Sequence, residues 1–261
     1  MRELVDDLGE RVPLAGAPGR VVSLVPSITE AVAVSAPGVL AGATEYCIHP
    51  ADLDVARVGG SKYPKLDQVR AVRPDLVLAN AEENRPQDVA ALREDGIPVW
   101  VTEAASTVPV ALRSIRRMFA EVFELAGEHA PEWLDTAERE WTGSLPSVVA
   151  TAIVPVWRKP WVLIGRDTFA GDVLRRLGVG NAFADHADRY PRPPLSELTE
   201  LLDRGGANLV VLPDEPYLFT PQDGPEAFPG VRCAHVDGRL LTWCGPSLAG
   251  ARATLSDQLG L

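Results

Sequence analysis

The sequence is poor in cysteine and in positive charge. Its three cysteines, Cys47, Cys233 and Cys244, are too few and too widely separated for a disulfide scaffold or a paired-cysteine zinc site. Lysine and arginine together number 25 against 36 aspartates and glutamates, which leaves a formal net charge of -11. Because phosphate groups are bound by clustered positive charge, this balance argues against nucleic acid and an anionic membrane surface as partners.

Long apolar runs and export signals are absent as well. No stretch approaches the roughly 20 apolar residues that span a bilayer, and residues 1–7 contain no basic segment followed by an apolar one. The odd number of cysteines favours a reducing compartment. We therefore predict a cytoplasmic protein without a membrane span. The alternative is an exported or lipid-anchored protein whose leader is not part of this sequence.

The sequence also lacks the signatures of common enzyme classes. The Gly-x-Ser-x-Gly nucleophile motif, the HExxH zinc motif, the P-loop and the dinucleotide-binding glycine pattern are missing, and the four histidines show no metal-ligand spacing. We therefore predict that the protein is not an enzyme and requires no cofactor. Hydrophobic residues make up 46% of the chain, which is enough for a substantial core.

One order of features occurs twice in the sequence: a helical pattern, a breaker, an apolar strand and a polar loop. The first copy has its helix at residues 66–72 and its strand at 75–78, and the second has them at 195–202 and 208–212. This alternation is typical of parallel α/β units, whose ligands bind beyond the carboxyl ends of the strands. The two polar loops contain Glu82, Glu83, Asn84, Asp214 and Glu215.

Helix-capping residues suggest further turns at strand ends. A strand at 20–24 leads into Pro26 and Ser27, and the spacing of Ser27 and Glu30 is that of a capping box, which predicts Ser27 as a helix cap with free backbone amides beside it. In the second half, Asp167 and Thr168 are predicted to cap the helix that follows them.

The remaining C-terminal elements are predicted in the same way. Ser196 is interpreted as a helix cap, residues 240–243 as a strand, and residues 247–259 as the final helix.

The predicted fold class is α/β, with two lobes of mostly parallel sheet. Residues 1–128 form the N-terminal lobe, 129–145 a connecting backbone helix, and 146–261 the C-terminal lobe. No low-complexity linker joins the halves, so one long rigid helix is expected between them, with the ligand cleft between the lobes.

A cysteine and a histidine stand two residues apart in the segment Tyr46-Cys47-Ile48-His49. In an extended segment such positions share a face, so Cys47 and His49 could touch one ligand or one metal ion. The alternative is a buried cysteine beside a structural histidine.

Aromatic residues cluster in apparent loops and strand ends of the second half. They could form the walls of a site for a large flat ligand, and core packing is the alternative. These residues are Trp157, Trp161, Tyr190, Tyr217, Phe219 and Trp243.

The segment Arg20–Glu30, the block Arg73–Val77 and the block Gly96–Val99, in this order, resemble the cobalamin- and ferric-siderophore-type substrate-binding proteins, also called class III or helical-backbone metal receptors. The resemblance covers nearly the whole chain. It implies non-catalytic binding of a corrinoid or another metal chelate, which is handed to the permease of an ABC importer. By position it implies that Tyr46 and Trp243 are cleft aromatics.

The leading hypothesis is therefore a binding protein for a cobalamin-like or other metal-chelate ligand, as the substrate-binding protein of an importer or as a cytoplasmic relative. One alternative is a metal-dependent enzyme or metal-handling factor that uses Cys47, His49, Glu82 and Glu83. Another is an interaction module whose pocket is filled by Trp157 or Tyr190. The oligomeric state is open. The predicted ligand contacts are Pro26, Ser27, Tyr46, Cys47, His49, Glu82, Glu83, Asn84, Asp167, Thr168, Asp214, Glu215, Tyr217, Trp243 and Cys244.

Overall fold

Two parallel β-sheets lie at the centre of the fold, and the computed structural model describes all 261 residues. The first elements in chain order are β1 (Arg2–Val5), β2 (Arg11–Leu14), β3 (Val21–Ser23), α1 (Pro26–Ser35), β4 (Leu40–Ala43), β5 (Ala56–Arg57), α2 (Leu66–Val72), β6 (Leu76–Asn80), α3 (Pro86–Glu94), β7 (Val99–Thr102), α4 (Val108–Glu121) and α5 (Glu132–Trp141). They are followed by β8 (Ala150–Ile153), β9 (Pro155–Trp157), β10 (Val162–Leu163), α6 (Phe169–Arg176), β11 (Val179–Asn181), α7 (Leu195–Asp203), β12 (Leu209–Pro213), β13 (Arg232–Val236), α8 (Gly238–Thr242) and α9 (Ala251–Leu259).

The chain divides into two compact units, each built around one of the sheets. Unit 1 comprises Met1–Ala104, Ala111–Asp135 and Cys244–Pro246, and unit 2 comprises Ala105–Val110, Thr136–Trp243 and Ser247–Leu261. The predicted α/β class with parallel sheets is confirmed. The predicted lobe boundaries, at 128/129 and 145/146, stay a prediction. No helix of the structure has the length and apolar character that crossing a bilayer requires.

The sheet of unit 1 has five parallel strands in the order β5-β4-β3-β6-β7. Its central strands are buried on both faces, because the helices that connect parallel strands cover the sheet, and they are accordingly rich in Val and Leu. The core contains Val22, Leu24, Val58, Val69, Val72, Val77, Ala79, Val89, Leu92, Val99 and Val101.

The sheet of unit 2 has four parallel strands in the order β11-β8-β12-β13. A separate antiparallel pair, β9 and β10, is joined by a short turn. The core of this unit is more aromatic than that of unit 1, and it contains Ile153, Leu163, Phe183, Leu198, Ala207, Val210, Leu212, Phe219, Ala227 and Phe228.

Two predicted helix caps are wrong, because both helices begin before the serine that was assigned to them. Helix α1 begins at Pro26, its N-cap is Val25, and no side chain caps it, so Ser27 lies within the first turn. Proline suits the first helical position, where its fixed φ fits and its missing amide costs nothing. Ser196 likewise lies inside α7, whose N-cap is Pro194.

The predicted strand at 240–243 is also wrong, because these residues belong mainly to helix α8. The carboxylate of Asp237 accepts the Leu240 amide at 3.0 Å and so starts the helix, an interaction that apolar run length cannot reveal. The next residue, Gly238, lies so close to Glu215 that a Cβ would stand 2.6 Å from the Glu215 carbonyl oxygen. The last helix begins at Ala251, after a short 3₁₀ turn at Pro246–Leu248.

The buried carboxylate of Asp6 attaches the turn of the hairpin β1–β2 to the rest of unit 1. Asp6 accepts the amides of Leu8 and Glu10, both at 2.9 Å, and therefore shapes the turn. It also accepts the Val101 amide at 3.3 Å and a bond of 2.7 Å from Arg93 Nη2. Its side chain is fully buried, whereas that of Arg93 is 27% exposed.

We expect Asp6→Ala to lower the free energy of unfolding by about 3 kcal/mol, because the change leaves Arg93 without its carboxylate partner and three amides without that acceptor. Urea unfolding followed by circular dichroism measures this. The control is Asp67→Ala, whose side chain is 97% exposed and whose ion pair with Arg70 contributes less than about 0.5 kcal/mol. Equal effects of the two substitutions would contradict the anchoring role of Asp6.

Candidate functional site

The loops that follow the strands of unit 1 lie together along one edge of the sheet, because parallel strands all end on the same side. We call this edge the unit 1 rim. It consists of residues 24–27 after β3, 44–55 after β4, 58–65 after β5 and 81–85 after β6. Lys62 Nζ donates to the Glu82 carbonyl at 2.8 Å and so links two of these loops.

Two tyrosines on the unit 1 rim expose most of their rings. Tyr46 is 66% exposed, and a Cβ on Gly60 would stand 3.2 Å from its Cε2, so the glycine allows the ring to lie against the neighbouring loop. Tyr63 is 69% exposed, and the guanidinium of Arg85 lies 4.6 Å from the centre of its ring. Rings supported on one side in this way present flat apolar surface to a ligand.

The support beneath Tyr63 is itself fixed by a carboxylate. Arg85 donates to both oxygens of Asp88, each at 2.8 Å, and this hydrogen bonding raises the pKa of Arg85 above its usual range. The two bonds therefore fix the orientation of the guanidinium plane at the base of the ring.

Cys47 points into unit 1, not outward onto the rim. Its side chain is fully buried, and its sulfur lies 3.0 Å from Thr29 Oγ1 and 3.1 Å from Thr44 Oγ1. Burial raises the pKa of the Cys47 thiol, and the two hydroxyls only partly offset this effect. The structure therefore has a buried, packed cysteine at this position. This was the alternative to a Cys47–His49 ligand pair.

The predicted metal pair of Cys47 and His49 is not joined by a third metal-binding side chain. No group of three or more His, Cys, Asp or Glu side chains in the chain is arranged to hold a metal ion. His49 itself lies half-buried on the unit 1 rim, in the same loop as Tyr46.

Asn84 has a structural position instead of a ligand-facing one. Its side chain is buried, its Nδ2 donates to the carbonyls of Leu24 at 3.3 Å and Ser61 at 2.9 Å, and its Oδ1 accepts the Asn80 amide at 2.8 Å. These bonds use most of its hydrogen-bonding capacity. Asn84 therefore ties the loops after β3, β5 and β6 together.

The neighbouring glutamates are half-buried at the unit 1 rim. The amides of Glu82 and Glu83 donate to the Asn80 side-chain oxygen at 2.8 Å and 3.3 Å, which fixes their backbone. The negative charge of Glu83 is a minor cause of the raised pKa of Cys47, after burial of the thiol.

The start of α1 contributes Pro26 and Ser27, both half-buried, to the unit 1 rim. The C-terminal segment of this unit passes close by, because a Cβ on Gly245 would stand 3.1 Å from the Ser27 carbonyl oxygen. Its neighbour Cys244 is a free thiol whose pKa burial raises to about 12. Such a thiol stays protonated at neutral pH.

The unit 2 candidates divide into structural and exposed side chains. Thr168 is buried and caps α6 by accepting the Gly171 amide at 3.2 Å, as predicted. Asp167 and Asp214 keep exposed side chains, although Asp214 also accepts the Gly238 amide at 2.7 Å.

The aromatic residues of unit 2 form a connected series of rings. Trp161 stacks on Phe219 with ring centres 6.2 Å apart, and both belong to the core, so the core-packing alternative is correct for them. Tyr217 lies 4.6 Å from Phe219 and 5.5 Å from Trp157, which is 46% exposed. Trp157 and Tyr217 are the open end of this series, whereas Trp243 is buried.

No pattern in the sequence identified Tyr63 and Arg85 as residues of the unit 1 rim. Tyr63 follows β5, a strand of two residues, and so short a strand produces no periodic pattern. The only signal in the sequence was the turn-forming segment Gly59-Gly60-Ser61 before Tyr63, which marks a loop without saying where it lies.

Two α/β units with parallel sheets in one chain, and aromatic side chains displayed at strand ends, define a substrate-binding protein of the two-lobed α/β class. The sequence profile of the periplasmic binding protein family matches residues 21–204, and the chain belongs to this family. The resemblance noted in the sequence is thereby confirmed.

Curated relatives support the same assignment. Proteins named vitamin B12-binding protein from Vibrio cholerae serotype O1 are 23% identical over 185 residues, covering 69% of this chain and 66% of theirs. One from Vibrio parahaemolyticus serotype O3:K6 is 22% identical over 189 residues, with the same coverage. The match thus spans 66% of the length of the curated relatives.

Solved structures share the fold over nearly the whole chain. The molybdate periplasmic binding protein of Haemophilus influenzae has a TM-score of 0.78 at 14% identity, covering 100% of this chain and 91% of that one. A periplasmic haem-binding protein from Pseudomonas aeruginosa has a TM-score of 0.75 at 20% identity, covering 93% and 92%. The periplasmic vitamin B12 binding protein of Vibrio cholerae has 0.71 at 18%, covering 93% and 97%.

The prediction of a cytoplasmic protein is wrong, because the family is one of periplasmic binding proteins. The odd number of cysteines misled it. All three cysteines are free, and burial raises the pKa of each thiol, which suppresses the thiolate that oxidation requires. An odd number of protected thiols therefore does not indicate a reducing compartment.

We expect Cys47 and Cys244 to resist alkylation by iodoacetamide in the native protein at pH 8. A raised pKa means less thiolate at a given pH, and for Cys244, with a pKa of about 12, the thiolate fraction at pH 8 is about one in ten thousand. Mass spectrometry of native and urea-unfolded samples measures this, with glutathione as the exposed-thiol control. Unfolded protein should react at all three cysteines. Rapid native labelling of Cys47 would contradict its buried position.

Proposed function

We propose that this chain binds a corrinoid without chemical change and delivers it, in the periplasm, to the permease of an ABC importer. The observation that carries the proposal is the pair of exposed, supported tyrosine rings on the unit 1 rim, Tyr46 and Tyr63. Flat aromatic surface at the carboxyl ends of parallel strands suits a large, flat, partly apolar ligand.

The names of the curated relatives favour the same ligand class. Several are vitamin B12-binding proteins, and a corrin ring with its amide side chains needs both aromatic faces and polar partners. The unit 1 rim supplies polar partners at Ser27, Ser61 and Lys62, beside the two tyrosines.

In unit 2, we propose Asp167, Asp214 and Tyr217 as ligand contacts, because each has its side chain at least partly open to solvent. Glu215, which follows β12 as Asp214 does, and Trp243, which ends α8, stay predicted contacts. Thr168 caps a helix and is better explained by structure than by ligand binding.

A ferric porphyrin is the second candidate ligand. The loop after β4 carries both Tyr46 and His49, and phenolate and imidazole are the groups that bind haem iron in proteins. A haem-binding protein is also among the solved structures with this fold. Under this alternative, one of these two side chains would coordinate the iron.

We expect Tyr63→Ala to weaken cyanocobalamin binding about tenfold or more, because the ring contributes apolar contact area that alanine cannot replace. Tyr63→Phe should stay within about threefold of the original affinity, since it keeps the ring. Tryptophan fluorescence quenching during titration measures both constants.

Val149→Ala is the matched control, because Val149 is also an exposed apolar side chain, at 68%, but lies before β8 and away from the strand carboxyl ends. Saturable binding that Tyr63→Ala does not weaken would exclude the unit 1 rim as the site. If neither cyano- nor hydroxocobalamin binds, corrinoids are excluded, and titration with haemin, read from its Soret band, tests the second candidate.

A further inference from the structure

One arginine side chain holds the loop that carries Tyr46 and His49. Arg57 Nη1 donates to the carbonyls of Thr44 at 3.0 Å and Cys47 at 2.8 Å, and its Nη2 donates to the Leu53 carbonyl at 3.0 Å. These three acceptors are spread along residues 44–53, which we call the β4 loop. A single guanidinium therefore bridges the start, the middle and the end of this loop.

The other side of the β4 loop is attached to the interior of unit 1. Cys47 occupies a buried position between Thr29 and Thr44, and the Glu45 amide donates to the Gly59 carbonyl at 2.8 Å. The β4 loop is thus fixed from inside by a buried thiol and from outside by Arg57. Tyr46, next to Cys47 in sequence, projects outward between these two attachments.

We propose that Arg57 is a positioning residue that orders the β4 loop before ligand arrives, so that Tyr46 and His49 meet the ligand in their bound orientation. This inference rests on the proposed function, since it concerns the same binding surface. An ordered loop loses less conformational entropy on binding, and this smaller loss makes the binding free energy more favourable.

The geometry requires arginine specifically. The planar guanidinium has separate donors aimed in fixed directions, so two nitrogens reach three carbonyls at once. A lysine ammonium is a single point of charge at the end of a flexible stem, and it cannot span acceptors on both Thr44 and Leu53. Arg57→Lys therefore separates the effect of charge from the effect of geometry.

The first measurement is hydrogen exchange of the ligand-free protein. In Arg57→Ala and Arg57→Lys, we expect the Cys47 and Leu53 amides, which donate to carbonyls inside the β4 loop, to exchange about tenfold faster. Arg20→Ala is the matched control, because Arg20 also donates to a carbonyl, that of Val72 at 2.6 Å, but lies before β3 at the opposite edge of the sheet. It should leave the β4 loop unchanged.

The second measurement is ligand affinity with cyanocobalamin and haemin as probes. We expect Arg57→Ala and Arg57→Lys to bind about tenfold more weakly, while Arg20→Ala binds like the original chain. Unchanged exchange in the β4 loop of Arg57→Ala would overturn the inference. Faster exchange with unchanged affinity would also overturn it. So would an Arg57→Lys variant whose exchange rates and affinity equal those of the original chain, because the positive charge would then be sufficient to order the loop.

The two proposals fail in different ways. If the original chain binds neither probe, the proposed ligand classes fail, and with them the link between Arg57 and affinity, whereas the exchange data still decide whether Arg57 orders the β4 loop. If the original chain binds and the Arg57 variants bind equally well, the proposed function stands and the positioning role of Arg57 is excluded.

Discussion

Parallel strand pairing is the constraint on which the candidate site depends. Each parallel strand must be followed by a connection that crosses the sheet and returns to the opposite end, so every strand of a parallel sheet delivers its carboxyl end to one edge. In unit 1 this gathers segments as distant in the chain as residues 24–27 and 81–85. The position of the unit 1 rim therefore follows from the topology of the sheet, whereas its chemical properties depend on the side chains of its loops.

Within the unit 1 rim, neighbouring residues have opposite tasks. Cys47 and Asn84 form hydrogen bonds within the protein. Cys47 bonds to two threonines, and Asn84 bonds to the backbones of two other loops. Tyr46 and Tyr63 leave their rings in solvent, although Gly60 and Arg85 support them. A surface of this kind needs no ligand to order it, because the polar residues behind it are already satisfied.

The fold class could be predicted from the sequence, whereas the residues of the site stay predictions. Buried strands such as Leu76–Asn80 and helices such as Leu66–Val72 were visible because their apolar patterns are local. Residues 240–243 were misassigned because the Asp237 cap decides their conformation, and Ser27 because Pro26 starts its helix earlier. For the site, the loops were correctly placed at strand ends, but exposure within a loop has no local pattern, so Cys47 and Tyr46 could not be told apart.

The sequence by itself determined the class of the protein: alternating helices and apolar strands, a balance of charges that argues against nucleic acid, and blocks that mark the family. These follow from residue type and short-range order. Only the tertiary structure decided which members of a loop face solvent, that Arg57 reaches three carbonyls, and that Arg85 lies beneath Tyr63. Such contacts join residues brought together by sheet topology, and a side chain's direction there depends on neighbours that are distant along the chain.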